Sequence, residues 1–219
     1  MQTKTECIAP VSLWLVVRKR FQRRGLLVEP AWVGANGKAG PAFFVSRILA
    51  EVYAHLRNKH YGEDESSNWR VIPLQAFDLL EHARGTDGPM QCMLAFGFAM
   101  QDAETVICSN CPRLRMVSFP YSVRRDAQTV TFSFHPSIFD LMEEEWASIG
   151  LPHFAKELHC TDELDAASFD RLLQTAIGSL KVCRTPETDG DGLWAVFSMQ
   201  RGQWISGSNM DVAVSRSLH

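Results

Sequence analysis

The chain alternates between short apolar runs and longer segments in which apolar residues recur at helical spacing. The run VSLWLVV at 11–17 is short and β-branched, which is typical of a buried strand. Runs at 104–108, 113–119 and 129–134 are joined by turn residues and predict a central antiparallel meander. The final run, LWAVFSMQRGQWISG at 193–207, predicts a C-terminal hairpin.

Helical periodicity is clearest at 42–60, where apolar residues share one face of a helix. The residues four apart on that face are Phe44, Ile48, Val52 and Leu56. Similar patterns predict helices over 137–150 and 165–181, and a shorter one over 75–83. The apolar segment PMQCMLAFGFAM at 89–100 fits either a buried strand or a buried helix.

These elements are mixed without a strict strand–helix–strand alternation, so they predict an α+β fold. We expect one domain over residues 1–219, with an antiparallel sheet (the central meander and the C-terminal hairpin) packed against three or four helices. A chain of 219 residues buries enough surface to fold without disulfides or metals. The polar stretch at 61–68 is the one candidate for a weak domain boundary.

The apolar runs are too short to span a bilayer as helices, and the N-terminus lacks the basic and apolar regions of a signal peptide. The six cysteines are scattered, as is typical of free thiols in a reducing compartment. The sequence therefore predicts a cytoplasmic protein without contact to a membrane. We recognise no cofactor motif, and expect no cofactor.

Charge is distributed unevenly along the chain, although the formal net charge is only −3. Residues 1–60 contain ten Lys/Arg and three Asp/Glu, whereas residues 131–191 contain four Lys/Arg and twelve Asp/Glu. Such an asymmetry is informative about partners and solubility, but not about the fold.

The acidic charge is concentrated in the predicted helix at 137–150. Its candidate partner-binding residues are Asp140, Glu143, Glu144, Glu145 and Trp146. The carboxylates lie close together on the helix and repel one another, so they do not stabilise it in isolation. One interpretation is a surface that receives a basic protein partner, with Trp146 as an aromatic anchor. The alternative is a solvated helix face with Trp146 in the core.

A protein that masks a basic partner needs complementary charge and aromatic anchors, but no catalytic motif. Immunity proteins that neutralise a nuclease toxin act in this way, and the acidic segment and six tryptophans fit that class. We therefore predict a cytoplasmic binding protein of this kind, with a basic protein such as a toxin domain as its partner. No motif assigns the chain to a particular immunity family.

The segment RKRFQRR favours an alternative, nucleic-acid binding or RNA processing. Its candidate residues are Arg18, Lys19, Arg20, Phe21, Arg23 and Arg24. Clustered cations beside an aromatic ring are typical of contact with a phosphate backbone. The sequence pI of about 6.2 argues against this alternative, because nucleic-acid-binding domains are usually basic.

The closely spaced pair Cys108 and Cys111 leaves three interpretations open. It is half of the ligand set that a structural zinc site needs, but no second such pair exists in the chain. A redox pair needs a helix after the first cysteine, whereas the residues after Pro112 indicate a strand. The pattern favours a plain turn between two strands, so we predict no metal site.

An enzyme with a site assembled from dispersed residues is the third functional alternative. The chain lacks the local signatures of serine hydrolases, zinc proteases and nucleobase deaminases. We therefore predict no catalytic residues from the sequence.

Overall fold

The computed structural model describes residues 4–22, 25–35, 37–61, 68–77, 91–109, 111–120, 122–125, 129–184 and 192–208. Within these residues the helices are α1 (Arg47–Tyr61), α2 (Ser137–Ser148), α3 (Phe154–Asp162) and α4 (Ala166–Gly178), with a 3₁₀ turn at Leu74–Ala76. The strands are β1 (Lys4–Ile8), β2 (Trp14–Gln22), β3 (Gly25–Pro30), β4 (Trp32–Ala35), β5 (Lys38–Phe44), β6 (Arg70–Pro73), β7 (Gln91–Ala99), β8 (Thr105–Ile107), β9 (Leu114–Pro120), β10 (Ser122–Arg125), β11 (Thr129–Ser133), β12 (Lys181–Cys183), β13 (Leu193–Ser198) and β14 (Gln203–Ser208).

A mixed, mostly antiparallel sheet forms the centre of the fold. Its strand order is β14-β13-β7-β5-β2-β3, with β9 on β7, β6 on β2 and β4 on β5. Two smaller sheets, β1-β11-β10 and β12-β8, flank it. The predicted α+β class with an antiparallel sheet and up to four helices is confirmed. In the described part of the chain, no helix is both long and apolar enough to cross a membrane.

Strand β7 resolves the ambiguous segment at 89–100, and it is buried on both faces of the sheet. Its side chains alternate between two cores, which explains why the strand is apolar throughout. A bulge between Ala95 and Gly97 interrupts the alternation, so that Phe96 and Phe98 enter different cores. A Cβ atom at Gly97 would lie 2.7 Å from the ring of Trp194, so this position requires glycine.

Helices cover both faces of the central sheet. Helices α2 and α3 pack on one face, and α1 and α4 pack on the other. The first core contains, among others, Leu15, Leu94, Phe96, Trp146, Phe154 and Trp194. The second contains, among others, Phe44, Val52, Tyr53, Phe98, Phe169 and Ala176. The helical periodicity of the sequence therefore marks the sides that face the sheet.

The three runs that predict a meander all form strands, but each pairs with a different neighbour. Strand β8 pairs with β12 in parallel, β9 pairs with β7, and β11 pairs with β1 and β10. The three runs therefore do not form one meander, and two of the pairings, β8 with β12 and β1 with β11, are parallel. Turn residues indicate where a strand ends, but they do not indicate with which other strand it pairs in the folded protein.

Other local predictions agree with the structure where it describes them. The C-terminal hairpin β13–β14 is confirmed, with Gly202 at a φ of 63° in its turn. The helix predicted at 165–181 begins after Asp165, whose side chain accepts a hydrogen bond from the Ser168 backbone.

The stretch at 61–68 and the helix predicted at 75–83 lie largely outside the described residues. Strands β2 and β6, on either side of 61–68, pair with each other.

Candidate functional site

The acidic face of α2 comprises Asp140, Leu141, Glu143 and Glu144, all of which are exposed. None of the three carboxylates forms an ion pair with another described residue. Asp140 is in the first turn, where the helix dipole favours a negative charge. Glu143 and Glu144 lie three and four residues further on and are repelled by it, at a cost of roughly 0.2–0.5 kcal/mol per pair.

Glu145 differs from its neighbours because its carboxylate is already engaged. Its Oε2 atom accepts a hydrogen bond from Nη2 of Arg115 at 3.1 Å, and its side chain is 15% exposed. Arg115 lies on β9, so this ion pair ties α2 to the central sheet. The sequence placed Glu145 with the free carboxylates, and the structure assigns it to the packing of the helix.

Trp146 belongs to the core and is only 1% exposed. Its indole Nε1 donates to the carbonyl of Phe96 at 3.4 Å, and its ring packs edge-on against Phe154 with centroids 5.0 Å apart. Trp146 therefore offers no surface to a partner, which corrects the interpretation of this residue as an anchor. Leu141 is 36% exposed and supplies the apolar group on the acidic face instead.

The negative charge of the helical region remains on the surface. Residues 137–178 contain nine Asp/Glu and two Lys/Arg. The exposed carboxylates are those of Asp140, Glu143, Glu144, Glu163, Asp165 and Asp170. Among the described ion pairs, only Arg115–Glu145 joins this region to a lysine or arginine elsewhere. Ion pairs between the acidic and basic parts of the sequence therefore do not neutralise the exposed acids in the described structure, although the charge of Arg47 acts on the partly buried Asp162.

The basic segment at 18–24 is partly occupied by local contacts. Nε of Arg18 lies 3.0 Å from Oε2 of Glu29, and Nη1 of Arg20 lies 3.7 Å from Oε1 of the same residue. Lys19 is exposed and points to the opposite face of β2. The side chain of Phe21, and both Arg23 and Arg24, lie outside the described residues. One carboxylate thus offsets part of the charge predicted to contact nucleic acid.

Cys108 and Cys111 lie between β8 and β9, which pair with other strands instead of with each other as the favoured interpretation expects. Cys108 is fully buried and pairs with Pro112 in an isolated antiparallel bridge. Cys111 is partly exposed, and the strand β9 follows instead of the helix that a redox pair needs. The described residues contain no group of three or more His, Cys, Asp or Glu side chains arranged to hold a metal ion.

A cluster centred on Arg47 was not predicted from the sequence. Arg47 stacks on Phe169 with its Cζ atom 3.8 Å from the ring centroid, and lies 5.3 Å from that of Trp14. Burial raises the pKa of Asp162 and of Glu51 above their ordinary values, and the charge of Arg47 opposes both shifts. These residues come from β2, α1, α3 and α4, and therefore share no local pattern.

Replacing Asp162 with asparagine is expected to stabilise the protein at neutral pH. Because the pKa of Asp162 is raised in the folded state, the wild type loses stability as the pH rises from the unfolded pKa through the folded pKa. The carboxylate of Asp162 accepts a hydrogen bond from Ser12. Asparagine can still accept this bond, but it carries no charge and so avoids the free-energy cost of a partly buried carboxylate. Thermal unfolding of both proteins between pH 3 and pH 8 should show a difference that grows with pH. A constant difference would contradict the assignment.

Glu157 is a buried carboxylate that positions the C-terminal hairpin. It is 5% exposed, and its oxygens lie 3.3 Å from the Ser198 hydroxyl and 3.2 Å from the Gln200 backbone nitrogen, both of which donate to it. Glu157 lies between Phe154 and Thr161 on the buried side of α3. This helical spacing would have indicated a buried carboxylate, but the sequence analysis did not use it. A satisfied buried carboxylate of this kind specifies the packing of two elements.

Comparison with known proteins provides no relative from which a role can be transferred to these residues. No protein-family model, no curated protein and no solved structure gives a significant match to the chain. The functional assignment therefore depends on the charge and geometry of the acidic face of α2, of the basic segment and of the arginines that stack on aromatic rings.

Proposed function

We propose that the protein captures a basic protein partner through the acidic face of α2 in the cytoplasm, as an immunity protein does against a nuclease toxin. The observation that supports this proposal most directly is the exposure of three like charges without an ionic partner in the described structure. The three carboxylates repel one another in the free protein. A basic surface bound to them would offset this repulsion with attraction between its cations and the carboxylates.

Leu141 gives the acidic face an apolar centre. It precedes Glu144 by three residues, so the two side chains are neighbours on the helix surface. An interface usually combines a desolvated apolar contact with charged groups at its rim. The arrangement of Leu141 beside Glu144 has this character.

The negative field of the helices would also accelerate the encounter with a basic partner. The exposed acids of α4 and of the preceding turn, Asp165 and Asp170, extend the negative charge beyond α2. Electrostatic steering of this kind raises association rates and depends strongly on salt. A nuclease needs a basic surface for its own substrate, and such a surface is complementary to this field.

Nucleic-acid binding by the segment 18–24 is the weaker candidate. Arg18 and Arg20 share Glu29, so part of their charge is already compensated. The acidic face has no such compensation in the described residues, and we therefore favour the protein partner.

Reversing the charge of Glu143 and Glu144 should abolish capture of the partner. A photo-crosslinking amino acid is introduced at position 141 of the wild type and of the Glu143→Lys/Glu144→Lys variant. Both proteins are irradiated in the cells that naturally produce the protein, and the cross-linked adducts are identified by mass spectrometry. We expect a basic protein with the wild type and little adduct with the variant. Like charges brought together across an interface cost on the order of several kcal/mol.

The matched control is Glu163→Lys/Asp170→Lys, which changes the net charge equally on exposed positions of other elements. It should retain the adduct, formed at a lower rate, because Asp170 contributes to the long-range field but lies outside the acidic face of α2. Glu145 is left unchanged because a lysine there would face Arg115 and destabilise the helix packing. The proposal would be rejected by an acidic cross-linked protein, or by equal adduct yields in the wild type and the Glu143→Lys/Glu144→Lys variant.

A further inference from the structure

Strands β3 and β4 form one long edge of the central sheet. Among the described strands, β3 pairs only with β2, and β4 pairs only with β5. Ala31 joins the two strands: its N–H donates to the carbonyl of Val16 at 2.7 Å, and its carbonyl accepts from the N–H of Ala42 at 2.8 Å. Both bonds leave Ala31 on the same side, so the other side of residues 25–35 faces away from β2 and β5.

The alternation of a strand decides which backbone groups lie on that outer side. Successive residues point their N–H and C=O groups to opposite sides, and Ala31 points inward, so Val28 and Gly34 point outward. Pro30 also occupies an outward position, where its missing N–H interrupts no bond within the sheet. A proline at such a position is typical of an edge strand. An edge of this kind offers backbone donors and acceptors to one more strand.

Large apolar side chains are exposed on both faces of this edge. Leu27 is 41% and Trp32 is 50% exposed, which makes them two of the four exposed large apolar side chains among the described residues. Leu27 lies on the face of the second core, to which Val33 contributes, and Trp32 lies on the face of the first core, beside Val28. A strand added at this edge would cover both exposed side chains.

The charge around the edge is positive. Strands β2 to β6 together contain five Lys/Arg and one Asp/Glu, which is Glu29. Arg20 is half-exposed and lies with Lys38 on the same face as Leu27, whereas Lys19 is exposed on the opposite face. Cations on both faces would attract an acidic segment and repel a second copy of the same edge.

Pro30 also argues against pairing between two copies of the chain. A two-fold arrangement over the whole edge would be centred on residue 30, the middle of 25–35, and would place Pro30 opposite Pro30. Both donors would be missing at the centre of such a ladder. The edge is therefore suited to a segment of a different protein.

We propose that the edge formed by β3 and β4 binds an extended acidic segment of a partner protein, which adds to the central sheet as a further strand. Main-chain hydrogen bonds hold the backbone of the segment, and its alternate side chains decide which segment is accepted. Its carboxylates lie on the face of Arg20 and Lys38, and its apolar side chains lie on the face of Trp32. This surface attracts the opposite charge to the acidic face of α2, so it does not depend on the proposed capture of a basic protein.

The test follows the backbone amide signals of the intact protein by ¹H–¹⁵N NMR. The probe is a short peptide in which glutamate and valine strictly alternate, titrated at constant ionic strength. We expect saturable shifts of the Val28 and Gly34 amides and slower hydrogen exchange of both, because their N–H groups would pair with the added strand. Slower exchange distinguishes main-chain pairing from loose contact between charges.

Three control ligands separate backbone pairing from charge alone. A peptide that alternates lysine and valine has the wrong charge, and a peptide with its glutamates and valines in two blocks has the same composition without the alternation. Both should bind at least about tenfold more weakly than the alternating glutamate peptide. An oligouridine of the same net charge should not slow the exchange of the two amides.

Variants provide a matched comparison. Trp32→Ala should weaken binding of the glutamate peptide by about tenfold, because it removes apolar surface that the added strand covers. Leu27→Ala tests the opposite face in the same way. Leu141→Ala truncates a comparably exposed leucine on α2 and should leave the affinity for the peptide unchanged.

The proposal is overturned if the Val28 and Gly34 amides neither shift nor gain protection, or if Trp32→Ala and Leu27→Ala both bind as the wild type does. Equal binding of the lysine peptide would also reject it. Protection of the same amides by the oligouridine would assign the edge to nucleic acid instead. Protection that grows with protein concentration in the absence of peptide would assign it to a second copy of the chain.

Discussion

Replacing Trp146 with alanine is expected to lower the free energy of unfolding by about 3–5 kcal/mol. The indole is 1% exposed, packs on Phe154 and donates a hydrogen bond to the carbonyl of Phe96. Truncation would leave a cavity between α2 and the sheet and an unsatisfied carbonyl. Both effects act on the folded state, because the indole loses these contacts when the chain unfolds.

Chemical denaturation of the wild type, Trp146→Ala and Trp32→Ala measures this effect. Trp32 is the matched control, since its side chain is 50% exposed and its truncation removes less buried surface. We expect a clearly smaller loss for Trp32→Ala. A loss below about 1 kcal/mol for Trp146→Ala would show that the indole is not a core residue, and would restore it as a candidate anchor for a partner.

Replacing Phe169 with alanine is expected to have a comparable cost, about 3–5 kcal/mol. Phe169 is 2% exposed in the core between α1 and α4, and its ring covers the guanidinium of Arg47 at 3.8 Å. Its loss would remove apolar contact with α1 and the cation–π interaction together. The charge of Arg47 would then be left beside a cavity.

Leu172 is the control for this prediction because it lies on the same side of α4. The sequence pattern suggests that Leu172 is buried like Phe169, whereas the structure shows it only partly buried. Leu172→Ala should therefore cost less than Phe169→Ala in the same denaturation experiment. The opposite order would mean that α4 is rotated relative to the register described above.

Local elements were predictable because their signals lie in neighbouring residues. The apolar stripe predicted α1, although its first residue, Phe44, lies in β5 and the helix begins only at Arg47. The pattern at 165–181 likewise predicted α4. The segment 89–100 was ambiguous since a strand buried on both faces loses its alternation. Only the presence of a core on each side of the sheet explains its composition.

The pairing of the strands was not predictable from turn spacing. Strand β8 pairs with β12, about 75 residues further along the chain, instead of with the strand that follows it. Backbone hydrogen bonds carry no sequence code of their own. The partner is therefore chosen by the packing of the side chains on the two faces.

For the candidate functional residues, too, the sequence predicts the local features and the fold decides the contacts. The charge and helical position of the residues from Asp140 to Trp146 follow from the sequence, but the sequence treats these acids as equivalent. Packing of α2 on the sheet turns Glu145 towards Arg115 and Trp146 into the core, and leaves Glu143 and Glu144 in solvent. The stacking of Arg57 likewise depends on Trp69, which comes from another segment of the chain.

By itself, the sequence determined the α+β class, the places of α1, α2 and α4, the C-terminal hairpin and the separation of charge along the chain, but it did not predict α3. These properties depend on residue type and on spacing within one element. The tertiary structure alone decided the strand order, the exposure of each acidic side chain and the partner of each stacked arginine. The physical reason is that burial and ion pairing depend on distances between elements far apart in the chain, which local spacing does not contain.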